Sequence, residues 1–165
     1  MASLVLIAHN IRSTYNVGSL LRTADGLGVD TVWLTGYTPY PKIAGDKRLL
    51  YIIEKLNKQI AKTSLGAETS VHIRIAEDIE TCFTHLRHEN HVIAALEQSP
   101  RSIVLPDYRP PSKIALLVGR EVEGIEHDIL ERCDVLLEIP MLGSKESFNV
   151  AQAAAMALYH LRFTR

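Results

Sequence analysis

The chain is poor in the features that usually announce a function. Its 165 residues hold two cysteines, Cys82 and Cys133, at no motif spacing, which excludes a disulfide framework and fits a reducing, cytoplasmic setting. The apolar start, Leu4 to Ala8, is too short and lacks the basic flank of a signal peptide, and no apolar run approaches a membrane span. The formal net charge is −1, which argues against a generic basic nucleic-acid binder. His85, His88 and His91 recur at three-residue spacing, but no cysteine or carboxylate completes a ligand set, so no metal is expected. A glycine-rich first turn, needed for a dinucleotide fingerprint, is missing; Gly119-Arg120-Glu121-Val122-Glu123-Gly124 follows a late strand instead.

Hydrophobicity is not scarce. With 47% apolar residues the chain is expected to form one compact domain over residues 1–165. Short apolar strands are expected at Leu4–Ala8, Thr31–Thr35, Val71–Ala76, Val92–Leu96, Ile114–Val118 and Val135–Ile139. Between them the pattern predicts helices over Asn16–Leu27, a basic stretch to about Lys62, Ile79–Arg87 and Ile125–Arg132, with a last helix over Asn149–Arg162. This alternation means an α/β fold, a mainly parallel sheet with helices on both faces. The last helix is apolar almost all round, with only Gln152 and His160 polar in its middle turns, so burial on several sides is expected. Local charge departs from the neutral average between Tyr37 and Gly66, where Lys42, Lys47, Arg48, Lys55, Lys58 and Lys62 face only Asp46 and Glu54.

Sites in such sheets lie at the carboxyl ends of strands. Three segments sit there: N-V-G-S-L-L-R-T-A from Asn16, L-V-G-R-E-V-E-G-I around Gly119, and I-P-M-L-G-S-K-E-S-F-N-V-A-Q-A-A-A from Ile139. Each alone could be caps and turns: Asn16 and Asn149 as helix caps, Gly18 as a packing glycine, Arg22 as a surface ion pair. Together and in this order they resemble the three motifs of the SpoU (TrmH-like) branch of the SPOUT RNA methyltransferases, across nearly the whole chain. The resemblance covers a catalytic domain alone, without an RNA-binding extension at either end.

The resemblance implies a C-terminal deep trefoil knot, S-adenosylmethionine as cofactor, and transfer of its methyl group to a ribose 2′-hydroxyl of tRNA or rRNA, with tRNA slightly favoured. It implies cofactor contacts from Leu96, Gly119, Ile139, Met141, Leu142 and Ser147, and catalytic roles for Arg22, Asn16, Glu121, Ser147 and Asn149. Arg22 is either a general base or an electrostatic stabiliser; a guanidinium does not readily lose its proton, so holding a phosphate and a developing alkoxide is the easier task. Lys42, Lys47, Arg48, Lys55, Lys58 and Lys62 are expected to meet the RNA backbone, or else to form a solvated helix face. A homodimer through the last helix is expected, placing one subunit's first motif near the other's third. Two other readings are a catalytically inactive RNA-binding module with the same fold, and an unknotted doubly wound nucleotide enzyme.

Overall fold

The computed structural model describes residues 2–164. In chain order the elements are β1 (Ser3–His9), α1 (Thr14–Gly26), β2 (Thr31–Thr35), α2 (Leu50–Ser64), α3 (Ala67–Ser70), β3 (Ile73–Ala76), α4 (Ile79–His88), β4 (Val92–Leu96), β5 (Ile103–Val104), β6 (Lys113–Val118), α5 (His127–Leu130), β7 (Val135–Glu138) and α6 (Val150–Phe163). The strands form one sheet in the order β3-β2-β1-β6-β4-β7-β5, and every pairing is parallel. This is the α/β architecture the apolar runs predict.

Strand alternation divides the core in two. Leu4, Leu6 and Ala8 of β1 face a cluster with Val17, Leu20 and Leu21 of α1, Ile60 of α2, and Ala154, Ala157, Leu158 and Leu161 of α6. Val5 and Ile7 face the other cluster, with Cys82, Phe83 and Leu86 of α4 and Ile129 of α5. β1 pairs with β2 on one side and β6 on the other, so the chain reverses its winding between β1 and β6. The crevice beyond the carboxyl ends at such a reversal is where open α/β sheets hold ligands.

Local chemistry shifts several expected boundaries. Ser13, not Asn16, caps α1, its side chain accepting from the Asn16 N–H at 3.2 Å. The helix therefore begins at Thr14, and the Asn16 side chain is free for other partners. β3 is shorter than expected, and the two-residue β5 and the single turn α3 carry too little periodicity to be read from sequence. The last helix is not buried all round: Ala151, Ala154, Ala157, Leu158 and Leu161 are inside, while Met156, Tyr159 and Phe163 form an exposed apolar stripe. Near its end, the Arg162 guanidinium donates to the carbonyls of Ala2, Leu27 and Gly28, tying α6 to the start of β1 and the end of α1.

Candidate active site

The three motif segments meet at the reversal point through side chains. Glu121, in the turn after β6, accepts from Asn16 Nδ2 at 3.0 Å and from the N–H groups of Ser13 at 3.1 Å and Arg12 at 3.3 Å. Asn16 Oδ1 in turn accepts from Asn149 Nδ2 at 3.1 Å, while Asn149 Oδ1 caps α6 by accepting from Ala151 N–H at 2.9 Å. One residue from each segment thus forms a continuous chain, Glu121–Asn16–Asn149. Partial burial pushes the Glu121 carboxyl up, but the hydrogen bonds from Asn16 and the nearby main-chain N–H groups outweigh it and hold it below its ordinary value. It is a carboxylate at neutral pH.

Beside this chain lies a cavity of about 300 Å³ at the carboxyl ends of β4, β6 and β7. Leu96, Gly119, Ile139, Met141 and Ser147 line it, together with Val118, Val150 and Ala153. Gly119 is needed by packing: a Cβ there would lie 2.4 Å from Ile125 Cγ1 and 3.1 Å from the Gly124 carbonyl carbon. The 120–124 turn is closed by Arg120, whose Nε donates to the Gly124 carbonyl at 3.2 Å and whose Nη2 lies 3.5 Å from Glu126. Glu97 braces it from below, accepting from Ile125 N–H at 3.0 Å. The 139–149 loop is held over the cavity by Gln98, whose Nε2 donates to the Glu146 carbonyl at 2.8 Å.

Sequence reasoning missed the acidic wall. Glu97, Glu121, Glu123, Glu138 and Glu146 all line the cavity. Glu97 and Glu138 stand at strand ends, where a site was expected, so position alone could have flagged them; their convergence follows only from strand order. Apolar walls, main-chain groups and several carboxylates suit a flat heteroaromatic ring joined to a cationic group.

Other expected residues stand elsewhere. Leu142 is 97% exposed and does not line the cavity. Arg22 is on the exposed side of α1, about 9 Å along the axis from Asn16 at 1.5 Å per residue, and makes no side-chain hydrogen bond or ion pair among the described residues. Lys42, Lys47, Lys55, Lys58 and Lys62 are exposed. Arg48 is not free like them: Nη2 and Nε bind the Asp46 carboxylate at 2.5 and 2.9 Å, and the guanidinium stacks 3.5 Å over the Tyr40 ring. His9 is buried, with Nδ1 2.8 Å from Thr35 Oγ1; burial lowers its pKa, against the pull of Glu126, so it is an uncharged structural residue. Among the described residues no three His, Cys, Asp or Glu side chains converge as a metal site, and no helix is long and apolar enough to cross a membrane.

Comparison with known proteins gives the family and the fold. The 23S rRNA (guanosine-2′-O-)-methyltransferase RlmB of Neisseria meningitidis is 32% identical over 162 residues, covering 98% of this chain and 59% of that protein. This chain thus spans under three fifths of the length of that relative. The AdoMet-bound rRNA methyltransferase of Sinorhizobium meliloti superposes with a TM-score of 0.80 at 21% identity, over 96% of this chain and 55% of that one. A protein solved for the 2-OH methylation of tRNA superposes with a TM-score of 0.71 at 23% identity, over 96% of this chain and 93% of that one. The sequence profile of the SpoU rRNA Methylase family matches residues 3–159, and the chain belongs to that family.

Proposed function

We propose that this protein methylates a ribose 2′-hydroxyl of RNA, using S-adenosylmethionine. The observation that carries the reading is the Glu121–Asn16–Asn149 chain, which joins all three motif segments at the rim of the cavity. The residues fit the cofactor. Leu96, Val118, Ile139, Val150 and Ala153 offer an apolar slot suited to an adenine, whose edge the main chain of Leu96, Gly119, Ile139 and Met141 would meet. The surrounding carboxylates favour a sulfonium and an ammonium. S-adenosylmethionine, when bound, supplies the methyl group.

The chain's own residues position the other reactant. In-line attack needs the ribose hydroxyl held in one orientation. Asn16 is fixed on both sides, by Glu121 and Asn149, so its amide is oriented before RNA arrives and no reorganisation is needed during reaction. Glu121 holds the start of α1 against the 119–124 turn. Ser147, on the cavity wall, shapes the loop between cofactor and substrate.

Arg22 is assigned the phosphate next to the target ribose and the charge developing on the attacking oxygen, tasks for a planar, permanently charged donor. It stands outside its own subunit's cavity, so the proposal gives it to the partner's site in a two-fold homodimer. The exposed Met156–Tyr159–Phe163 stripe on α6, which packs beside α1, supports such an interface. Threading of α6 into a trefoil knot belongs to the same reading and is supported by its return from β7 onto β4, β6 and α1. An RNA substrate and two free cysteines support a cytoplasmic location.

Among possible RNAs, ribosomal RNA has more behind it than transfer RNA, since the Neisseria relative is named for 23S rRNA. The exposed lysines of loop 36–49 and α2 would contact phosphates. Two experiments test the function. Calorimetry in the presence of a chelator should show binding of S-adenosylmethionine or its demethylated product; absence of both defeats the cofactor assignment. Mapping 2′-O-methyl sites in RNA from cells with and without the protein should show a lost site; identical maps would count against the activity.

A further inference from the structure

A second concavity, about 760 Å³, adjoins the proposed active site and is built differently. It lies between the start of α1, loop 36–49 and α2, and four of the chain's six tyrosines line it: Tyr15, Tyr37, Tyr40 and Tyr51. Three of those residues are exposed, Tyr15 at 49%, Tyr37 at 52% and Tyr51 at 66%. Aromatic rings left in water around one groove mark a binding surface rather than a core. Arg12 and Lys55 share the lining, and Lys62 Nζ lies 5.8 Å from the Tyr15 ring centre. Lys55, Lys58 and Lys62 fall on one exposed face of α2, whose only acidic residue is Glu54.

Two points of the wall, Tyr40 and Thr38, are fixed by local contacts. Tyr40 is pinned under Arg48, which Asp46 and the carbonyls of Tyr40 and Pro41 hold in turn. The Thr38 hydroxyl shares its one proton between the carbonyl oxygens of Thr35 and Ala8, at 2.8 and 3.0 Å, and accepts from Ile11 N–H, anchoring the loop to the ends of β1 and β2. At the other end the groove begins at Arg12 and Ser13, the residues whose N–H groups clasp Glu121. It therefore runs directly into the catalytic network.

We infer that this groove stacks unpaired RNA bases, so that the substrate beside the modified ribose is a single-stranded loop and not a duplex. Tyrosine faces bind bases of any identity, while cations alongside follow the phosphates. An A-form helix keeps its bases stacked inside and offers no face to these rings. Pre-set walls lower the ordering cost of binding. The inference rests on the RNA methyltransferase reading for the identity of its ligand and adds the conformation that ligand must have.

The test is fluorescence anisotropy on the full chain, with a short uridine-rich single strand and a blunt RNA duplex of equal length. The single strand should bind about tenfold tighter. Tyr37→Ala and Tyr51→Ala should each weaken it by roughly tenfold, while Tyr37→Phe and Tyr51→Phe keep it within about twofold, since the ring does the stacking. Lys55→Ala should reduce the slope of log affinity against log salt by about 0.7. Calorimetry with S-adenosylmethionine separates the two readings and reports folding, because neither tyrosine lines the cofactor cavity. Normal cofactor binding with equal affinity for duplex and single strand, or with alanine variants that bind like wild type, overturns the base platform alone. Tyrosine-dependent single-strand binding in a protein that takes up no cofactor would sustain the platform and remove the methyltransferase reading.

Discussion

Glu121 binds two main-chain N–H groups and one side-chain amide, and its negative charge is the fixed point around which Asn16 and the start of α1 are arranged. Its pKa is depressed below the ordinary 4.5, so the stabilisation it gives is fully present above that value and is lost as pH falls through the lower, folded-state pKa. The clasp should therefore survive mild acid, and a pH–rate profile should show its acid limb below the usual carboxyl range. Glu121→Gln removes the charge behind these hydrogen bonds, each worth about 1.5–3 kcal/mol, so methyl transfer should fall at least tenfold, beyond any loss of cofactor affinity from the missing carboxylate. Steady-state kinetics beside calorimetry checks this. Arg22→Ala should abolish transfer while sparing cofactor binding, and Arg22→Lys should fail as well because a point charge cannot replace a planar fork. Single-turnover rates within a few-fold of wild type in the alanine variant would reduce Arg22 to a surface residue.

Between elements, α1 and α2 approach each other closely at Gly18. A Cβ there would lie 2.1 Å from Thr63 Oγ1 and 2.3 Å from the Ile60 carbonyl, so α1 and α2 can cross only over a bare glycine. Gly18→Ala should cost about 2 kcal/mol through overpacking, lowering the melting temperature by roughly 6 °C for a chain this size. Because the strain falls on α2, RNA affinity should drop while cofactor affinity holds, a split that thermal melts and calorimetry can read. Gly18 was legible as a packing glycine from sequence. The cap was not: Ser13 and Asn16 are both good capping residues, and only the clasp of Glu121 on the Ser13 and Arg12 N–H groups decides between them. Leu142 was misplaced for a similar reason, since a loop rich in Gly, Ser and Lys carries no periodicity to show which side chains turn inward.

For the whole molecule, strand order does what no single motif can. Parallel strands and two covered faces follow from the short apolar runs, but the strand order β1-β6-β4-β7 decides that Asn16, Glu121 and Asn149 meet, and that five glutamates share one cavity. Long-range pairing leaves no local trace, which is why the acidic wall and the tyrosine groove escaped the sequence while the three motif segments did not. The dimer is tested at this scale. Met156→Glu places a charge on the exposed α6 stripe and should yield monomers without methyl transfer by sedimentation and activity assay. Wild-type protein that is monomeric at micromolar concentration yet fully active would defeat the dimer.

Methyl transfer to a ribose 2′-hydroxyl through the Glu121–Asn16–Asn149 site can be read from its product. Its most direct test is to incubate purified protein with ribosomal and transfer RNA and methyl-labelled S-adenosylmethionine, digest the RNA, and identify labelled nucleosides by mass spectrometry. Label should appear in 2′-O-methylnucleosides, reduced at least tenfold with Glu121→Gln and absent with Arg22→Ala. Label on a base instead of the ribose, or no label from a protein shown to bind the cofactor and both RNAs, would contradict it.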